Sequence, residues 1–158
     1  MLNTGTLKVT TPSDLEIVLT RVFDAPRRLV FDALSKPELL KRWFGPHGHS
    51  LVVCEVDFRV GGAWRFVLES PDGRSMGMSG VYREIDPAER TMHTEAFDDY
   101  PGDSVITTVL TEHDGKTTLT ATALYESREV RDAVIASGME HGAAETYDRL
   151  ADLLPSLT

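Results

Sequence analysis

The stretch from Ala63 to Ile85 reads AWRFVLESPDGRSMGMSGVYREI, and it decides the fold. In its first part Trp64, Phe66 and Leu68 alternate with Arg65, Val67 and Glu69, the period-two pattern of a strand with one buried face. Pro71-Asp72-Gly73 then makes a turn, with Pro fixing φ and Gly free to take the left-handed conformation. A long strand follows over Ser75–Ile85 and stops at Asp86-Pro87. The stretch predicts an antiparallel hairpin, and its surroundings extend it on both sides.

Downstream, strands are expected at Thr91–Phe97, Val105–Glu112 and Thr117–Tyr125, separated by Pro101-Gly102-Asp103 and Asp114-Gly115. Closely spaced strands with tight turns predict an antiparallel meander. Upstream, Leu51–Asp57 is a strand and Phe58–Gly62 a turn, with Gly61 and Gly62 both expected to supply positive φ. Before it come a strand at Leu15–Val22 and two short helices. The first starts at Asp24-Ala25-Pro26, where Asp24 can accept from free backbone N–H groups. The second has Ser35 as its expected cap, Pro37 in its first turn, an apolar face of Leu39, Leu40, Trp43 and Phe44, and a stop at Gly45-Pro46. Residues 1–13 read as a polar leader that adds a short edge strand at Leu7–Thr10, and residues 14–158 as one domain.

Ser127 is positioned to cap a helix with apolar Val130, Ala133 and Val134. Beyond Gly138, the positions Met139, Ala143, Tyr147, Leu150 and Leu154 form one stripe of a long amphipathic helix. The expected fold class is α+β: a curved antiparallel sheet wrapped around a long C-terminal helix, with two short helices after the first full strand. The space between sheet and helix is either solid core or a ligand cavity.

The 158 residues carry 16 Lys plus Arg against 25 Asp plus Glu, a net charge of -9. That balance disfavours a nucleic-acid partner, which needs clustered positive charge, and an anionic membrane surface. The single cysteine, Cys54, leaves no intrachain disulfide. No apolar h-region opens the chain, and no run approaches about 18 apolar residues, so a soluble cytoplasmic protein is expected.

Several segments together resemble the START-like (SRPBCC) superfamily. They are Arg21–Pro26, Trp43-Phe44-Gly45-Pro46, Val56–Arg65, Gly80–Pro87, Thr94-Glu95 and Gly138–Gly142. The nearest branch resembles proteins related to the C-terminal domain of the heat shock protein 90 ATPase activator, the activator of Hsp90 ATPase homologue-like group. The resemblance runs in order from about Leu15 to Leu154. It implies the helix-grip fold, with a cavity between the sheet and the last helix. It also implies binding of apolar or aromatic small molecules, by a carrier, a sensor or a sequestering protein. A few members of the superfamily are cyclases or hydrolases, so a polyketide cyclase-like or hydrolase activity is the first alternative. A protein-interaction module is the second, with an exposed apolar patch near Trp43-Phe44. The chaperone activator has a further N-terminal domain that 158 residues leave no room for, so a chaperone partner is not the expectation. A homodimer is compatible with the family.

The residues expected to line a cavity are Trp43, Trp64, Phe66, Met78, Tyr82, Met139 and Tyr147, with His93 as a polar contact. Aromatic rings offer large apolar faces and Met adapts to irregular shapes. Met76, Met78, Gly80 and Tyr82 share one strand face by period two. Gly77 and Gly80 either admit a close neighbour or mark a bend in the sheet. Gly142, inside the last helix, suggests close approach of sheet or ligand. His93 has Glu95 two residues on and on the same face, so the pair either points inward, with His93 a candidate acid or base, or lies solvated on the convex side.

Other groups favour structural roles. His47-Gly48-His49 lacks the further ligands of a metal site and reads as a flexible loop. His141 and Glu145 fall opposite the apolar stripe and read as a solvated pair. Asp57 and Arg59 read as a surface pair or an anchor for the turn. Ser79, Ser104 and Cys54 have no His/Asp arrangement around them, which leaves nucleophilic catalysis unsupported. Gly61-Gly62 precedes a strand rather than a helix and so fails as a phosphate loop. No cofactor is expected.

Overall fold

A computed structural model describes residues 7–100 and 102–157; residues 1–6 of the expected leader and Pro101 of an expected turn lie outside them. The alternating stretches become strands β1 (Lys8–Thr10), β2 (Glu16–Phe23), β3 (Ser50–Val56), β4 (Ala63–Glu69), β5 (Ser75–Asp86), β6 (Arg90–Phe97), β7 (Asp103–His113) and β8 (Lys116–Leu124). The helices are α1 (Arg27–Ser35), α2 (Pro37–Trp43), α3 (Arg128–Ala136) and α4 (Met139–Leu153), followed by a short 3-10 turn over Leu154–Leu157. This is the α+β helix-grip architecture.

The strands form one antiparallel sheet in the order β1-β2-β8-β7-β6-β5-β4-β3. β3 to β8 are neighbours in both sequence and sheet, so each pairs with the next in an antiparallel meander. At the β7–β8 turn Asp114 and Gly115 both take positive φ, 53° and 77°, as a two-residue hairpin loop requires. β2 returns to pair with β8, and α1 and α2 carry the chain from β2 to the far edge strand β3. α4 lies under the curved sheet, with Tyr147 edge-on to Phe23 of β2 at 6.0 Å. Beside it, Arg21 of β2, 2 % exposed, donates to Asp148 Oδ1 of α4 at 2.8 Å.

Helix starts depart from expectation at two places. Asp24 is exposed and does not cap α1; the Arg27 N–H is taken instead by Glu112 Oε1 at 2.7 Å, from the end of β7. Ser35 does not cap α2 either, because its hydroxyl donates back to the Phe31 carbonyl at 2.9 Å as the last residue of α1. α2 begins on Pro37 without a side-chain cap, helped by Glu38 in its first turn and Lys41 and Arg42 in its last. Ser127 caps α3 as expected, accepting from the Val130 N–H at 3.1 Å. The buried residue of α3 is Arg131, however, while Val130 and Ile135 stay exposed.

In the β3–β4 turn only Gly61 has positive φ, 87°. Gly62 is required for a different reason: a Cβ there would overlap the Asp57 carbonyl. On β5, a Cβ on Gly77 would collide with the Arg65–Asp98 ion pair, and one on Gly80 with the Thr94 carbonyl and the Trp64 indole. Both positions therefore admit a close neighbour.

Candidate functional site

The concave face of the sheet and α4 do not meet everywhere, and a cavity of about 320 Å³ remains between them. Met139, Ala143, Thr146 and Tyr147 form its α4 wall, at the i, i+4, i+7 and i+8 spacing of one helix face. Opposite stand Trp64 and Phe66 of β4, Tyr82 of β5, and His93 and Glu95 of β6. The α1–α2 corner and the β3–β4 turn close one end with Phe31, Trp43, Phe44 and Phe58.

The rings are not scattered. From His93 one run passes through Trp64 at 5.5 Å, then Phe66 at 4.8 Å, Phe44 at 5.0 Å and Trp43 at 5.6 Å between successive centroids. A second run passes from His93 through Tyr82 at 6.1 Å, Phe58 at 5.1 Å and Phe31 at 5.7 Å. Nearly all these contacts are edge-on, the geometry preferred by ring quadrupoles, which fixes the wall's shape. Trp64 is anchored further by its indole N–H, which donates to the Thr94 carbonyl at 3.2 Å across the space that Gly80 leaves open. The Trp43 indole N–H donates to the Ala33 carbonyl at 2.9 Å.

His93 and Glu95 both face the cavity, which settles the side they share. Both side chains are only half-buried, yet protein surrounds them closely enough to shift both acidities. Burial lowers the His93 imidazolium to about 4, so the ring is neutral at pH 7. Burial raises the Glu95 carboxyl to about 7. Tyr125, just past β8, and Tyr147 are pushed up to about 12 by burial first and by the Glu95 charge second. The Tyr82 hydroxyl is raised as well, chiefly by burial and then by Cys54. Arg90 also lines the cavity, but its guanidinium is paired with Glu84. The chemistry on offer is thus one carboxyl, one neutral imidazole, and several hydroxyls against an aromatic wall.

Of the eight residues expected at a cavity, Trp43, Trp64, Phe66, Tyr82, His93, Met139 and Tyr147 line it. Met78 does not: it is 4 % exposed and packs in the solid core, and Met76 packs against the same core. Only Met139 of the three methionines singled out forms cavity wall. Phe44, Phe58, Tyr125 and Thr146 were not anticipated there. Thr146 falls on the same helical stripe, and Phe58 is an aromatic ring among turn residues, so a signal existed for both. Trp43 is 2 % exposed, so it forms no surface patch.

The loop after α2 is latched rather than free. Arg149 Nη1 donates to the carbonyls of Gly45 at 2.8 Å, Pro46 at 3.2 Å and His49 at 3.2 Å. Glu145 accepts from the His47 N–H at 3.1 Å and pairs with the exposed His141 at 3.0 Å. Asp57 and Arg59 form an exposed pair at 2.9 Å. Gly142 meets only Pro46, at an ordinary 3.6 Å from where a Cβ would sit, so the expected close approach is not there. Among the described residues no cluster of three or more His, Cys, Asp or Glu could hold a metal, and no helix is long and apolar enough to cross a membrane.

Residues 24–155 match the family described as activator of Hsp90 ATPase homolog 1-like protein. A crystal structure of a protein from Rhodobacter sphaeroides superposes with a TM-score of 0.90 at 30% identity, covering 95% of this chain and 98% of that one. A protein from Nitrosomonas europaea gives 0.84 at 28%, covering 92% and 97%. One from Mycobacterium smegmatis gives 0.84 at 25%, covering 95% and 96%. No curated protein matches the chain.

Proposed function

Because the chain belongs to the family of activator of Hsp90 ATPase homolog 1-like proteins, whose fold commonly binds hydrophobic ligands, we propose that it holds a small apolar or aromatic molecule between its sheet and α4. The observation that carries this is the cavity of about 320 Å³ walled by two connected runs of rings. That volume lies at the small end of the ligand-pocket range, roughly 300–1,000 Å³. Binding is driven by burial, at about 25 cal/mol per Å2 of apolar ligand surface, and the polar cluster at His93 and Glu95 sets orientation. Trp43, Trp64, Phe66, Tyr82, Met139 and Tyr147 are the proposed apolar contacts.

Mass spectrometry of the purified protein, run natively and again after organic extraction, tests the reading. A stoichiometric small molecule, weakened in Trp64→Ala or Tyr82→Ala, supports a carrier or sensor. No bound species, with no thermal shift across a panel of apolar and aromatic compounds, overturns it.

A cyclase or hydrolase activity on an aromatic or polyketide-like substrate is the second reading. It is favoured by one observation: a neutral imidazole and a carboxyl titrating near neutrality face the same cavity. On that reading His93→Ala abolishes turnover while ligand binding survives; unchanged turnover in the variant removes His93 from the chemistry.

A further inference from the structure

Glu95 faces the cavity with a carboxylate that, among the described residues, receives no hydrogen bond and enters no ion pair. Its backbone is held by the strand, opposite Ser104, whose hydroxyl donates to the Glu95 carbonyl at 3.4 Å. Half-buried against apolar walls, such a carboxylate is costly to leave without a partner. The groups facing it from the surrounding elements are His93 and Arg90 on β6, Tyr82 on β5, Tyr125 after β8 and Tyr147 on α4. None neutralises it. Arg90 is committed to Glu84, the imidazole is uncharged at neutral pH, and the phenols stay protonated. Whenever Glu95 is ionised, the cavity therefore holds one unbalanced formal charge, and it is negative.

Two further observations have the same sign. The aromatic rings lining the same cavity attract cations over their faces through their quadrupoles. The chain as a whole carries a net charge of -9, which concentrates cations and repels anions near any opening.

Resting on the cavity-binding reading above, the geometry points to a ligand that is a protonated apolar amine, its body against the aromatic wall and its ammonium group on the Glu95 carboxylate. Carboxylic acids of the same shape are rejected, because among the described residues no unpaired cation lines the cavity to receive them.

Calorimetric titration of the full chain with phenylbutylamine, phenylbutanol and phenylbutyrate tests the charge separately from the cavity. The amine binds about tenfold more tightly than the alcohol, as expected for a hydrogen bond to a charged group, and the carboxylate binds weakest. Glu95→Gln removes the amine's margin and leaves alcohol affinity within about twofold of the parent. A second readout needs no variant. With the free carboxyl at about 7, amine affinity rises between about pH 6 and about pH 8, because ionised Glu95 is the form that binds and the amine stays protonated throughout.

An alcohol that binds as tightly as the amine, a carboxylate that binds more tightly, a margin that survives Glu95→Gln, or an affinity flat with pH overturns the amine assignment while the cavity reading stands. Absence of binding by all three compounds overturns both.

Discussion

His93 and Glu95 sit two residues apart on β6, and burial moves their protons in opposite directions. Glu95 rises from 4.5 to about 7, so the native state holds its proton where the unfolded chain has released it. That contribution to stability is complete below about pH 4.5 and fades as pH rises through about 7. His93 falls from 6.5 to about 4, so the native state refuses a proton that the unfolded chain accepts. Its contribution is complete above about pH 6.5 and fades as pH falls through about 4. Between about pH 4.5 and about pH 6.5 the two slopes oppose, and the parent protein is expected to be nearly flat there. His93→Gln unmasks the Glu95 slope, and its urea midpoint falls as pH rises. Glu95→Gln unmasks the His93 slope, and its midpoint rises. Each change amounts to about 2 kcal/mol across the window, allowing for partial access through the cavity. Parallel curves for the parent and both variants would show that neither group is shifted. The spacing of this pair was legible in the sequence; its orientation was not, because period two tells which residues share a face and not which face is concave.

At the scale of elements, strands were easier to place than helix ends. Alternation is a property of a short stretch alone, and Trp64, Phe66 and Leu68 display it without help. Capping is not: the donor Arg27 N–H finds Glu112, 85 residues away along the chain. Ser35 likewise serves the helix behind it rather than the one ahead. Glycines repeat the lesson. Gly80 and Gly142 look alike in sequence, yet one is filled by neighbours and the other is not. Gly80→Ala forces its Cβ into the Thr94 carbonyl and the Trp64 indole, and a loss of about 2 kcal/mol or more is expected from thermal unfolding. Gly142→Ala meets only Pro46 and removes backbone entropy from the unfolded chain, so a gain of up to about 1 kcal/mol is expected. A destabilised Gly142→Ala would mean that the helix needs more room there than Pro46 takes.

At the scale of the molecule, α4 carries one wall of the cavity, and Glu145, Asp148 and Arg149 tie it to the rest. Arg21 of β2 reaches Asp148, and Arg149 grips the loop after α2. Asp148→Ala leaves the Arg21 guanidinium buried without that carboxylate, at a cost of about 2 kcal/mol and ~4–8 °C in Tm. An unchanged Tm would show that the half-exposed carboxylate does little for the buried cation. The overall architecture was legible because element order, turn chemistry and the α4 stripe agree with one another. The cavity was not legible in the same way. Met78 and Met139 are the same residue type on predicted inward faces, yet one packs solid and the other borders empty space. That difference depends on how far α4 stands from a curved sheet, a distance no local pattern encodes.

The pairing of β2 with β8 also orders events in time. Glu16 waits for Leu124, roughly a hundred residues later, before its strand has a partner on that side. During synthesis the ribosome releases an apolar strand bearing Ile17 and Leu19 long before the strand that covers it exists. Contacts this distant along the chain make folding slow relative to helical proteins and leave the early strand open to wrong partners. The wall formed by α4 emerges after every strand of the sheet. Anything that shelters the nascent chain therefore acts on β2 before that wall exists.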